Sequence, residues 1–364
     1  MDLCFDLLEW LGPDTSTSVL MLLDDPADLV RASAVSRSWR RFVVYNGFCK
    51  KLCLRMCLEV SCFVNVVEST SRESAEVGSS SAMEWESLEK EHRAYSYLSY
   101  CLVSIAGNGD CIGASIRASS TDNYPDESIE HTLVESDRVD LRPSYWSSEG
   151  ESDPGVPETL TYRLGFKLCI INEIRIQPFQ AYFQDGNPIY SAKAVRFRMG
   201  HSRSPQVTGM DANTNVGQGT PNENYTWTYV SPSFPMVQEN SLQSFKLPRP
   251  VICIGGIVQI ELLGRVQVQE MDGLYYICVC HVQVIGRPLT PIFDANFLED
   301  DRQSVLKFFP EKHDCCLLGT SDSCASHTFR ERIKHMRARR GWNQRILNTL
   351  LGVVESDSDD DADS

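Results

Sequence analysis

Five potential metal ligands fall within fifteen residues near the end of the chain: His313, Cys315, Cys316, Cys324 and His327. Thiolate and imidazole are the preferred ligands of zinc, and a structural zinc takes four of them. The spacing lacks the two short chelating turns such a site uses, and adjacent Cys315 and Cys316 would strain a tetrahedral centre. No metal is assigned here. Gly107, Asn108, Gly109 and Gly113 are followed by no Gly-Lys-Ser/Thr and open no helix, so they read as a β-turn rather than a phosphate loop. The 7 histidines are scattered, with no Gly-x-Ser-x-Gly elbow and no His-Glu-x-x-His helix. Nothing among the 49 acidic residues singles out two as an acid and a base. The sequence therefore predicts no catalytic residue, no cofactor and no enzyme.

The chemistry that remains is recognition. The rings of Tyr124, Tyr145 and Trp146 can stack on a sugar or clamp a peptide, with Arg117, Asp122 and Asn123 supplying hydrogen bonds beside them. For Trp146 and Tyr145, plugging the base of a β-sandwich is the competing and commoner role. Such residues act through loops, and loops are useful only where rigid sheets hold them.

The elements that must hold them follow from periodicity. Residues 1–64 read as helical, 65–92 as a Ser/Glu-rich connector ending in a short charged helix, 93–290 as an all-β domain, and 291–364 as a basic helix followed by an acidic tail. The β reading rests on alternation. Val195, Phe197 and Met199 alternate with Arg196 and Arg198, and Leu168, Ile170, Ile174 and Ile176 are expected on one face. About eight strands with long loops fit a two-sheet jelly roll. The basic stretch at 329–345 fits a nuclear import signal, a docking helix or a solvated helix on the β-domain. The acidic residues 355–364 are expected to be disordered.

The first helices are marked more sharply. Asp25 suits an N-cap and Pro26 the first helical position, where its missing N–H costs nothing. Ser36 can cap the next helix. Leu29, Ala32, Val35, Trp39 and Phe42 recur at three and four residues and so share a face. Residues 19–23 are apolar all round and must be covered on every side. So short a segment cannot bury these residues alone, which predicts an obligate contact surface.

The whole chain has 364 residues and a net charge of -15, which argues against nucleic acid as a main partner. The start carries no basic signal-peptide region and no apolar run reaches the ~18 residues of a membrane span, so a soluble protein of the nucleus or cytoplasm is expected. The 14 cysteines are then reduced and pack as small apolar residues.

Residues 11–43 resemble an F-box: Leu11 and Pro13, the pair Val19-Leu20, Asp28-Leu29, then Val35-Ser36-Arg37 and Trp39-Arg40. Two departures are that Gly12 splits the opening Leu-Pro and that 15–18 replaces an apolar first turn. The resemblance implies docking onto a Skp-type adaptor, which bridges to a cullin scaffold, through Pro13, Leu20, Leu23, Pro26, Leu29, Val35 and Trp39. The Ala118-Ser119-Ser120 element, the later Trp146-Ser147 and the closing 282–286 resemble a discoidin-like (galactose-binding-like) sandwich. An F-box followed by such a sandwich is similar to a group of plant F-box proteins. The implied fold is α+β and multidomain. The implied role is a non-catalytic substrate adaptor of a Skp–cullin–F-box ubiquitin ligase that holds an unknown target protein. The alternatives are an intracellular lectin-like module and a glycan-processing enzyme with two facing carboxylates.

Overall fold

Local capping chemistry sets the first helices. A computed structural model of the chain describes residues 6–69, 80–104, 106–139, 142–203, 224–298 and 303–312. Helix α1 (Leu7–Leu20) starts where Asp6 accepts a bond from the Leu8 amide, 3.0 Å. It kinks at Gly12, whose φ of 73° is open to glycine without a Cβ penalty, and Pro13 restarts it. Asp25 caps α2 (Pro26–Ala34) through the Ala27 amide at 2.8 Å. Ser36 caps α3 (Arg37–Tyr45) through the Trp39 amide at 3.2 Å. Helix α4 (Phe48–Met56) and a 3-10 turn, Leu58–Cys62, complete the helical region.

The helix expected at the end of the connector is present but much longer than expected, and the start of the connector is strand. Strand β1 (Phe63–Glu68) leaves the 3-10 turn, and α5 (Ser80–Val103), 24 residues long, packs along α4. Residues 93–103 are therefore helix and not the start of the β-domain.

The β-domain is two antiparallel sheets facing one another. One carries β2 (Ile112–Ala118), β3 (Glu158–Leu164), β5 (Ala192–Ser202), β6 (Tyr225–Val230) and β8 (Ile257–Arg265), in the order β6-β5-β8-β3-β2. The other runs β7-β4-β9 and ends on the short strand Gly109–Asp110. Its members are β4 (Leu168–Gln180), β7 (Gln243–Ile254) and β9 (Cys278–Pro288). Register brings Phe197 opposite Ile260 in one sheet, and Ile174 opposite Val284 and Phe245 in the other. Val195, Phe197 and Met199 lie wholly in the inter-sheet core, as their alternation predicts, while Arg196 and Arg198 pair with Glu261.

Strands β4 and β7 correct one expectation. Cys169, Ile171, Ile174 and Ile176 point into the sandwich, but Leu168 and Ile170 point the other way, into a second apolar cluster. The neighbouring strand β7 is divided likewise: Val251 and Cys253 point in, Ile252 and Ile254 out. The change of side falls on β4 between Ile171 and Ile174, where its pairing with Lys246 and Val251 of β7 loses regular register. At this end both faces of the sheet are buried, which is what the unbroken runs at 168–171 and 251–254 encode.

The second cluster is the joint of the protein. It gathers Leu20 and Leu29 from α1 and α2, Phe48 and Leu52 from α4, Tyr95 and Leu98 from α5, and the outer faces of β4 and β7. The end of the described chain closes it. Strands β10 (Phe293–Phe297) and β11 (Ser304–Phe308) form a small sheet with β1, parallel between β1 and β11, and place Phe293, Leu306 and Phe308 over the helices. The described residues between 291 and 308 are thus largely strand, whereas the first expectation was a tail. The basic stretch 329–345, the acidic end and the cluster from His313 to His327 lie outside the described residues.

Candidate functional site

The helical surface is decided by what the second cluster leaves over. Of the seven residues expected at an adaptor contact, Leu20, Pro26 and Leu29 are buried in the chain's own interior. Leu23 and Trp39 are half-buried against the same cluster. Pro13 and Val35 are exposed. The buried three are a correction: a leucine covered by its own chain and one reserved for a partner look alike in sequence. Trp39 has a structural tie as well, since its Nε1–H donates to Asp6 Oδ1 at 2.9 Å, fastening α3 to the start of α1. The apolar side chains left outside include Trp10, Val19, Leu22, Val30 and Val35, with Leu22 78% and Val35 62% exposed. Val19 and Leu22 stand one position before Leu20 and Leu23, so the offset within the apolar run was the available signal. A groove of about 480 Å³ also opens here, lined by Pro13, Phe42, Tyr45 and Trp85 among others.

At the loop end of the sandwich a smaller pocket, about 130 Å³, brings together Asp122, Asn123 and Tyr145 of the expected set. It adds Glu127, Phe179, Phe183, Tyr190 and Tyr276, which the sequence reading missed. Tyr145 stacks on Phe179 with centroids 3.9 Å apart and planes 9° from parallel, and its hydroxyl donates to Glu127 at 2.6 Å. Tyr190 meets Tyr276 edge-on at 6.4 Å. Tyr124 is not among the lining residues; it follows Asn123 and is 78% exposed. Arg117 is exposed on β2 and is not among the lining residues.

Trp146 is not a contact residue. It is fully buried in the inter-sheet core, and its indole N–H donates to the Ser120 carbonyl at 3.0 Å. The Ala-Ser-Ser and Trp-Ser elements prove to be framework. Ser119 and Ser120 both donate to the Glu158 carboxylate, which pairs with the buried Arg265 at 2.5 Å. Arg265 also donates to Ser148 Oγ and to the carbonyls of Glu149 and Tyr275, at 2.8, 2.8 and 2.9 Å. One guanidinium thereby fixes the backbone of two loops that shape the pocket, and its buried charge is satisfied by partners on several sides.

The charged side chains that line the pocket, Asp122 and Glu127, are both acidic. Burial lifts the Asp122 carboxyl above its ordinary range, and nearby Asp272 and Glu149 add to this. Burial raises Glu127 too, against the lowering effect of the Tyr145 bond. Among the described residues no group of His, Cys, Asp and Glu is arranged to hold a metal ion. No described helix is long and apolar enough to cross a membrane.

Residues 13–55 match the F-box-like family. An F-box protein of Arabidopsis thaliana is 51% identical over 309 residues, 83% of this chain and 81% of that protein. The chain belongs to the F-box protein family. The matched stretch of this F-box protein is the capped region from Pro13 through most of α4, so the kinked start of α1 falls largely before it. The β-domain is similar in fold to the family 32 carbohydrate-binding module of Clostridium perfringens NanJ, solved with galactose. That likeness has 12% identity and a TM-score of 0.31, covering 48% of this chain and 98% of the module. Discoidin II of Dictyostelium discoideum is similar at 11% identity and a TM-score of 0.33, covering 52% of this chain and 62% of that one.

Proposed function

We propose that this F-box protein is the substrate-recognition subunit of a Skp–cullin–F-box ubiquitin ligase. Its helices dock on a Skp-type adaptor that bridges to a cullin, and the loop end of the sandwich holds a target protein. It performs no chemistry itself; transfer of ubiquitin belongs to its partners. The observation that carries this reading is the division of the helical apolar residues. Leu20, Leu29, Phe48 and Leu52 are covered by the chain, whereas Trp10, Leu22, Val30 and Val35 remain in water. Exposed apolar groups left over after an intramolecular core is complete mark an interaction surface. The nucleus and cytoplasm, where such ligases work, are the proposed locations.

The test is capture of a purified Skp-type adaptor by the full chain and by the double variant Leu22→Glu/Val35→Glu. Capture should be lost while the melting temperature stays within the small shift expected of surface changes, about 0.5 kcal/mol per site. Undiminished capture by a folded double variant would overturn the docking assignment. The competing reading, an intracellular carbohydrate-binding module, is tested by a glycan array probed with the full chain. Saturable sugar binding lost in Phe183→Ala, together with no adaptor capture, would favour it.

A further inference from the structure

The loop-end pocket has a composition that narrows what it can hold. Its volume, about 130 Å³, is well below the roughly 300–1,000 Å³ of small-molecule sites. It suits one anchoring side chain better than a free ligand. Its walls are ring faces and edges: the Tyr145–Phe179 stack, with Tyr190 and Tyr276. Asp122 and Glu127 are its charged lining, and no lining residue is cationic. Phe183 of the lining is 53% exposed, and two large side chains close in sequence to lining residues stand in water as well: Tyr124, next to Asn123, at 78%, and Met271, two residues from Gln269, at 92% exposure. Aromatic faces attract a cation through their quadrupole, and carboxylates bind one by charge-assisted hydrogen bonds. The chain already uses this chemistry nearby, where the Arg138 guanidinium lies 3.7 Å from the centre of the Tyr182 ring. Tyr182 itself packs on Phe179 edge-on at 6.1 Å.

We propose that this pocket receives an arginine or lysine side chain from a basic segment of the target protein, while Tyr124, Phe183 and Met271 contact the residues flanking it. The proposal rests on reading the loop end as the target-binding end. It specifies a basic protein segment, and not an acidic peptide or a neutral sugar, as the recognised chemistry. A cation seated between Asp122 and Glu127 offsets the like-charge repulsion at this end of the molecule, and the rim excludes water from the contact. The chain's net charge of -15 favours encounter with a basic partner.

The test is an array of peptides with Arg, Lys, Gln or Glu fixed at the centre and random flanks, probed with the full-length protein. Arg- and Lys-centred peptides should be enriched, and binding should weaken with added salt. In Asp122→Asn/Glu127→Gln the affinity for them should fall about ten-fold or more, as for removal of a desolvated charge partner. Thermal melting shows whether each variant is folded. Absence of Arg or Lys enrichment in the wild type overturns the proposal, as does binding of such peptides that survives the double variant. If peptides bind without charge preference, and Tyr124→Ala/Phe183→Ala abolishes this, the loop end holds targets by other chemistry. If neither pair of substitutions affects peptide binding, the loop-end reading itself falls.

Discussion

Trp146 lies between the two sheets of the sandwich, next in sequence to the pocket residue Tyr145. In sequence, an aromatic ring beside Tyr145 in a loop-rich sandwich fits a ligand platform, and more commonly a core plug. Its complete burial and its bond to Ser120 make it core. Trp146→Ala should cost about 3–5 kcal/mol in chemical denaturation, through the cavity left between the sheets. Trp146→Phe should cost less and leave peptide binding intact. His92 gives the pH dependence. Burial, with the nearby Arg40 charge next in size, pushes its pKa down from 6.5 to about 4, and its Nδ1 is buried without a hydrogen-bond partner. The unfolded chain takes up this proton below 6.5 and the folded chain only near 4, so the unfolded state binds more protons in between. Stability should therefore fall as the pH drops from about 6.5 to about 4. Melting curves of His92→Gln should lack that part of the slope.

At the level of elements, caps were legible and cover was not. Asp25, Pro26 and Ser36 do locally what their chemistry dictates, because an N-cap is satisfied by amides two or three residues away. Which residues of α1 and α2 are covered depends on α4 and α5, which arrive from later in the chain. The consequence is a contrast between neighbours. Leu29→Ala should destabilise the protein by about 2–5 kcal/mol, as loss of a buried leucine does. Val30→Ala and Val35→Ala should leave the melt nearly unchanged and weaken adaptor capture, which a melt paired with a pull-down resolves. Strand β4 teaches the same about sheets. Alternation placed Ile174 and Ile176 correctly, but Leu168 and Ile170 serve a different core, because the strand changes side where both its faces are covered.

Across the molecule the helical region and the sandwich are joined by more than a chain connection. Glu59, within the 3-10 turn, is 4% exposed and receives two bonds from Arg249 on β7, at 2.7 and 2.8 Å. The Arg249 guanidinium also lies over the Tyr229 ring at 5.8 Å. Glu59→Ala strands that guanidinium in a largely covered site and should cost about 3 kcal/mol, read as a lower melting temperature. The same joint predicts the effect of truncation. A chain ending at residue 298 loses β11, exposes Phe293 and removes the parallel partner of β1, so it should be far less stable or aggregate. A chain ending at residue 312 retains every described element and should melt cooperatively. What the sequence determined by itself was local or repetitive: the capped helices, the alternating strands, the F-box resemblance and the loops that carry Asp122, Asn123 and Tyr145. Only the tertiary structure decided which apolar residues face water, that Trp146 is framework and that the final strands close the helical core. The reason is physical. Capping and alternation are satisfied within a few residues, whereas burial is settled by segments more than a hundred residues apart, and an apolar side chain carries no mark of what will cover it.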